Sequence, residues 1–171
     1  MSEPKQDDTI IRCSCGNVEV KLIGPPIVCA ACYCQDCNAG SGQIEALPNA
    51  TPVRNADGST SYILYRNDRV QCSSGAQLLQ GHKIKEKSAT NRVVATCCNS
   101  AMYVNFDRGP HWVSVYRTRL GKNAPPLQMR INTKFRQANS HIPNDVPSYS
   151  TFSLSLVAKL IASRIGMLLR Q

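Results

Sequence analysis

Residues 10–37 read IIRCSCGNVEVKLIGPPIVCAACYCQDC, and this stretch decides the fold. Val18, Val20 and Leu22 alternate with Glu19 and Lys21, which is the period of a half-buried strand and not of a helix. Two cysteine groups flank the strand-like runs. In Cys13-Ser14-Cys15-Gly16, the glycine permits the tight turn needed to aim both sulfurs at one ion. In Cys29-Ala30-Ala31-Cys32-Tyr33-Cys34-Gln35-Asp36-Cys37, the spacings CxxC, CxC and CxxC overlap. A lone CxC is a weak signal, but three thiols within the turn-like segment Cys32 to Cys37 are rarely mere core filling. The segment predicts a β fold organised around metal-binding cysteines.

Outward from there, short runs with strand character continue at Pro26 to Ala31, Ser61 to Tyr65, Ala76 to Gln80, Lys83 to Ser88, Arg92 to Thr96, Ala101 to Phe106 and Trp112 to Tyr116. Asn55-Ala56-Asp57-Gly58 and Asn67-Asp68 supply turns. Eight or so short strands without an internal repeat predict a mainly β sandwich or folded sheet over residues 9–120. Residues 1–8 read as a flexible N-terminus. Residues 121–147 read as a basic, proline-containing linker, extended or wrapped over the body. From Pro147 onward, Ser148 or Ser150 can cap an amphipathic helix within residues 148–171. On it Leu154, Val157, Ile161, Ile165 and Leu168 share a side, joined by Phe152, Leu156 and Leu160, while Ser155, Lys159, Ser163, Gly166 and Arg170 form a narrow polar stripe. Its charges argue against a transmembrane span.

The chain has 171 residues, enough for one domain with a real core. Its formal charge of +9 is unevenly placed: residues 1–116 hold eleven Lys/Arg against ten Asp/Glu, and residues 117–171 nine against one. Basicity therefore belongs to the tail, and thiolate-bound metal would make the body acidic. The first ten residues lack the apolar stretch of a secretory signal, which predicts a cytoplasmic protein. In that compartment nine cysteines favour metal over disulfides. Zinc suits a thiolate-rich site best, although thiolates also hold iron–sulfur clusters and Cu(I). Cys29, beside Ala30 and Ala31, and Cys72 read instead as buried, inert thiols.

The order of motifs, CSCG at Cys13–Gly16, CYCQDC at Cys32–Cys37 and Cys97-Cys98-Asn99-Ser100, resembles the glutathione-dependent formaldehyde-activating enzyme family, which includes centromere protein V. The resemblance spans roughly residues 10–120, and the Cys-Cys form is similar to one branch of that family. It implies two packed antiparallel sheets and two zinc sites. By it, Cys13 and Cys15 join cysteines of the later strand in a four-coordinate structural site, and Cys32, Cys34 and Cys37 form the three-cysteine site associated with catalysis. The family's late motif is CxxCG, whereas here Ala95 stands at its first cysteine and Cys98 at its second. Either Cys97 replaces the missing ligand or the site is incomplete. Adjacent strand residues point to opposite faces, so both can ligate only if the strand kinks or bulges, which ranks Cys98 ahead of Cys97.

Three thiolates leave a coordination position open for a thiolate or water, which fits chemistry at a carbon–sulfur bond. The implied reaction adds formaldehyde to glutathione, as a zinc-dependent carbon–sulfur lyase run in reverse. An anionic thiol substrate calls for a nearby cation, with Arg66, Arg69, Lys83, Lys85, Arg92 and Arg108 as candidates, most of them expected as solvated surface charges. His82, His111 and His141 are isolated and are not assigned to metal, though His111 beside Trp112 can line a pocket. No nucleotide-binding glycine motif is present. The competing expectation is a non-catalytic module in which zinc is structural and the basic tail meets nucleic acid, a partner or a membrane surface. The terminal helix also offers a surface for homo-oligomerisation.

Overall fold

A computed structural model describes residues 8–169. The expected flexibility of residues 1–7 and the helical assignment of Arg170 and Gln171 lie outside the described residues. β1 (Thr9–Arg12) and β2 (Glu19–Leu22) form a hairpin, and β2 pairs antiparallel with β5 (Val70–Ser74) in a three-stranded sheet. A seven-stranded sheet runs in the order β10 (Met129–Ile131), β3 (Val28–Cys32), β4 (Thr60–Arg66), β9 (Trp112–Tyr116), β8 (Ser100–Phe106), β7 (Thr90–Ala95), β6 (Leu79–His82). Its pairs are antiparallel except for β10, which joins β3 in parallel.

The fold is mainly β with two sheets, and strand periodicity explains how they stack. Ile11, Val18, Val20 and Leu22, all fully buried on the small sheet, pack against Cys29, Ile63, Val113 and Val115 on one face of the large sheet. Its other face presents Val28, Ala30, Cys32, Tyr62 and Tyr116 to two helices, α1 (Gln35–Glu45) and α2 (Leu154–Leu168). β3 is therefore apolar without alternation, because both of its faces are covered.

Several elements differ from the sequence expectation. Lys83 to Ser88 is a loop, closed by a turn from Ser88 N–H to the Lys85 carbonyl, with the Lys83 ammonium drawn to Asp107 at 2.6 Å. Ala76–Leu78 is a short 3-10 turn, so the strand starts at Leu79. Within the expected linker, Met129–Ile131 is buried sheet, tied on its far side to the chain near Ser148.

α2 is capped by Ser153, not by Ser148 or Ser150, through a 3.0 Å bond from the Leu156 N–H to its hydroxyl. It seats Ser153, Leu156, Leu160 and Ser163 against the body. The stripe Leu154, Val157, Ile161, Ile165 and Leu168 faces outward, with Leu154 89% and Ile161 56% exposed. Of the supposed polar stripe, Ser163 and Gly166 face inward, where His111 meets Ser163 at 2.6 Å and Gly166 lies beside the Arg66 guanidinium, while Ser155 is exposed. Among the described residues, no helix is long and apolar enough to cross a membrane.

Candidate metal centres and cavity

The first centre is built by two tight turns from different sheets. Gly16 adopts φ 81°, a conformation that side-chain-bearing residues rarely take, and donates to the Cys13 carbonyl at 3.0 Å. The Val18 N–H donates to Cys13 Sγ at 3.3 Å. Facing this turn is the one between β7 and β8, in which Cys98 N–H bonds the Ala95 carbonyl and Asn99 takes φ 53°. Because Cys97 and Cys98 lie in a turn, the alternation of strand side chains does not separate them, and both reach the cluster. The four sulfurs of Cys13, Cys15, Cys97 and Cys98 lie within 4.8 Å of one another. Three of the separations are 3.5 Å (Cys13 to Cys15), 3.8 Å (Cys13 to Cys97) and 3.3 Å (Cys15 to Cys97). Metal–thiolate bonds of about 2.3 Å in a tetrahedron require edges of about 3.8 Å, so the donor set fits a four-coordinate ion.

Polar neighbours favour the thiolate of Cys98, whereas desolvation and the bonds from Cys15, Cys13 and Cys98 push the Cys97 thiol up to about 12. Burial opposes ionisation of Cys98, but bonds from the Ser100 hydroxyl and from Cys15 outweigh it and bring the thiol down to about 6. Ser100 also accepts from Ser14 N–H at 2.9 Å, and the half-buried Arg119 reaches Ser14 and Thr51. Burial lowers the affinity of Arg119 for its proton, only partly opposed by the nearby Cys98 and Cys13 sulfurs.

The second centre is local. Cys32 ends β3, Cys34 caps α1, and Cys37 lies in the first turn of α1, with its N–H donating to Cys34 Sγ at 3.3 Å. A thiolate at a helix N-terminus meets unpaired N–H groups and the positive end of the helix dipole. The three sulfurs lie within 4.8 Å of one another. Bonds from Cys34, Cys37 and Asn132 pull the Cys32 thiol down to about 3, while bonding to Cys32 pushes Cys34 up and Cys37 well above the usual thiol range. A divalent cation binding there displaces the remaining protons. Both groups can therefore hold a metal ion.

Asn132 was not singled out by sequence. It follows β10 at φ 58°, and its amide Nδ2 donates to Cys32 Sγ at 3.4 Å. The only sequence hint is its place in a segment that looks like a linker. Cys29 is not a fourth ligand: it sits three residues before Cys32 on the same strand, so it faces the small sheet, where burial raises its thiol. Cys72, expected to be buried, is exposed at β5 and donates to the Ser74 carbonyl at 3.1 Å. β5 belongs to the three-stranded sheet, and four of its five residues are exposed.

The three-cysteine group forms one wall of a cavity of about 310 Å³ between the large sheet and α2. Tyr62, Phe106, Trp112, Leu156 and Leu160 make it apolar, and Arg92 gives it a cation. Of the other cationic candidates, Arg66 is buried against Asp68, Arg69 donates to the Pro25 carbonyl, and Lys83 pairs with Asp107; neither these three nor Lys85 and Arg108 line the cavity. His111 packs edge-on against Trp112 but bonds α2 instead of lining the cavity. His141 lines a separate, more polar groove of about 780 Å³ that holds no cysteine.

Fold and sites together define a two-sheet β protein with one four-cysteine and one three-cysteine centre. No protein-family model matches the chain, and no curated protein does. Among solved structures, a Rhodobacter sphaeroides protein is similar to it at 14% identity and a TM-score of 0.48, covering 82% of this chain and 99% of its own.

Proposed function

We propose that this protein is a zinc enzyme that makes or breaks the carbon–sulfur bond of a thiol–aldehyde adduct. The observation that carries the proposal is the three-cysteine group on the wall of a largely apolar cavity, with no fourth cysteine, histidine or carboxylate grouped with it among the described residues. Zinc held by three thiolates keeps a position for an exogenous thiolate and leaves that sulfur nucleophilic. Cys32, Cys34 and Cys37 would hold it, and the Asn132 amide would fix Cys32 in place. Apolar side chains on the cavity walls leave few polar partners for water beside the three sulfurs.

In the forward direction the thiol sulfur bonds to the carbonyl carbon, the carbon–oxygen π bond opens, and the proton lost from sulfur ends on oxygen. Nothing is oxidised or reduced, and cleavage is the reverse. Glutathione with formaldehyde is one substrate pair of this type. The four-cysteine centre has a full set of protein ligands and would be the structural site.

The competing reading, a non-catalytic module with a nucleic-acid-binding tail, draws less support. Arg117, Arg119 and Arg130 of the basic segment are engaged within the body: Arg117 at the Pro125 carbonyl, Arg119 at Thr51, and Arg130, 5% exposed, with Asp145.

The test is exchange spectroscopy on a thiol–formaldehyde mixture. Zinc-loaded protein should speed interconversion of glutathione and its hydroxymethyl adduct, and Cys34→Ser should abolish the effect. Equal rates with wild type and Cys34→Ser, across a panel of small thiols, would reject the proposal.

A further inference from the structure

We propose that α2 rests on a membrane surface that contains anionic phospholipid, with its outward stripe among the lipid tails and its cations at the headgroups. The inference concerns the side of α2 that faces away from the cavity, and it is independent of the chemistry at the three-cysteine centre. Ile10 apart, every exposed large apolar side chain among the described residues is Phe135 or lies between Phe152 and Leu169. At about 100° per residue, Leu154, Val157, Ile161, Ile165 and Leu168 fall within an arc of about 80°. Each of the five is at least 42% exposed. The body holds the other side of the helix through Leu156, Leu160 and the bond between His111 and Ser163. A contiguous apolar surface of this kind marks contact with something other than water.

Charge selects the partner. Lys159 and Arg164 are both exposed and mark the two edges of the open side. Between them the helical projection places aliphatic residues, alanines, Ser155 and Gly166. Neither cation pairs with a carboxylate among the described residues, and nor do the exposed Lys134 and Arg136. The turn that carries Lys134 is tied to the approach to α2 by the bond from its N–H to the Ser150 carbonyl, and its ammonium lies 4.9 Å from the centre of the exposed Phe135 ring. α2 itself has no acidic residue. Of the carboxylates on the body side, Asp68 is bonded to Arg66 and Asp36 lines the cavity under the helix. An apolar stripe edged by cations is the pattern of a helix lying in the plane of a bilayer interface, where lipid phosphates and carboxylates meet the cations.

Length decides between lying and spanning. The 15 residues of α2 make a helix about 22 Å long, short of the roughly 30 Å hydrocarbon core of a bilayer. A second copy of the chain fits the stripe less well. Pairing along α2 covers a strip of about 22 Å by 10 Å, small beside the roughly 800 Å² that each partner gives to a stable interface. It also brings the lysines and arginines of two helices together with no carboxylate on either to offset them.

The experiment sediments zinc-loaded, full-length protein with vesicles of phosphatidylcholine alone and with vesicles of phosphatidylcholine and phosphatidylserine in equal parts. Wild type should bind the mixed vesicles at least about tenfold more tightly than the neutral ones, and the preference should shrink as salt is raised. Val157→Gln/Ile161→Gln leaves every charge in place and should weaken binding to mixed vesicles by about tenfold or more. Lys159→Gln/Arg164→Gln leaves the stripe in place and should reduce the preference for mixed vesicles severalfold. All four side chains are exposed, and urea unfolding unchanged from wild type shows that each variant keeps the fold.

Wild type that stays in the supernatant with both vesicles, or that binds both equally, overturns the proposal without any variant. Binding that survives Val157→Gln/Ile161→Gln at wild-type strength is attraction between a basic protein and a charged surface, and it overturns the placement of the stripe among the tails. A wild-type dimer in light scattering that becomes a monomer in the same variant, with no vesicle binding by either, overturns it in favour of a second copy.

Discussion

Cys29 and Cys32 share β3, and their odd spacing sends one thiol to each side of the large sheet. That parity was available in the sequence once β3 was recognised as a strand, and it removes Cys29 from the metal problem. The pair Cys97 and Cys98 was harder to read, because the same alternation rule argues against both ligating. The rule fails only because β7 ends at Ala95 and both residues fall in a turn.

Metal content should follow these placements. Cys34→Ser should lose one equivalent of zinc and Cys97→Ser should weaken or lose the other, whereas Cys29→Ala and Cys72→Ser should retain both; mass-spectrometric metal analysis of the purified variants decides it. Loss of zinc from Cys29→Ala without unfolding would contradict the placement of that thiol. Exposure adds a second readout: in the metal-loaded protein, Cys72 should be alkylated by iodoacetamide well before Cys29, since the first is at the surface and the second is 2% exposed with its thiol raised by burial.

At the level of elements, strands of the large sheet with β-branched and aromatic residues were legible, and α1 was not. Its sequence, QDCNAGSGQIE, contains two glycines and one large apolar residue, Ile44, so it offers no apolar stripe to detect. It forms because Cys34 caps it, because Ser41 meets Thr60 at 2.8 Å, and because Gly40 lets Arg92 lie against it.

α2 was legible as a helix but not in its orientation. Its leucines and isoleucines occupy more than one side, so the pattern does not say which side meets the body; the contacts of Leu156 and His111 settle that. Truncating the two sides should therefore differ sharply. Leu156→Ala, at a fully buried position, should cost roughly 2–5 kcal/mol. Ile161→Ala, at an exposed one, should change stability by about 0.5 kcal/mol or less. Urea unfolding of both variants with zinc bound measures this, and similar costs for the two would mean that the outward stripe is covered in solution.

For the whole molecule, the two centres differ in what they join. Cys15 and Cys97 are 82 positions apart and bring a turn of the small sheet onto a turn of the large one. Cys32, Cys34 and Cys37 lie within a single short segment that β3 and α1 already hold. A cross-link restricts the unfolded chain in proportion to the logarithm of the loop it closes, and treating each metal as such a link gives about 4–5 kcal/mol for the long loop against roughly 2 kcal/mol for the short one. The long-range centre should therefore dominate thermal stability even though the short-range one is proposed to carry the chemistry.

The double variant Cys15→Ser/Cys97→Ser is a clean probe, because both side chains are exposed and their loss leaves no hole in the core. Cys34→Ser/Cys37→Ser keeps a serine at the helix cap, so α1 retains its N-terminal acceptor. In differential scanning calorimetry with saturating zinc, the first variant should unfold roughly 5–10 °C below the second. If the two melt together, or if the second melts lower, then the four-cysteine centre is not what clamps the sheets, and apolar contact between them, from Ile11 and Val20 to Ile63 and Val115, suffices alone.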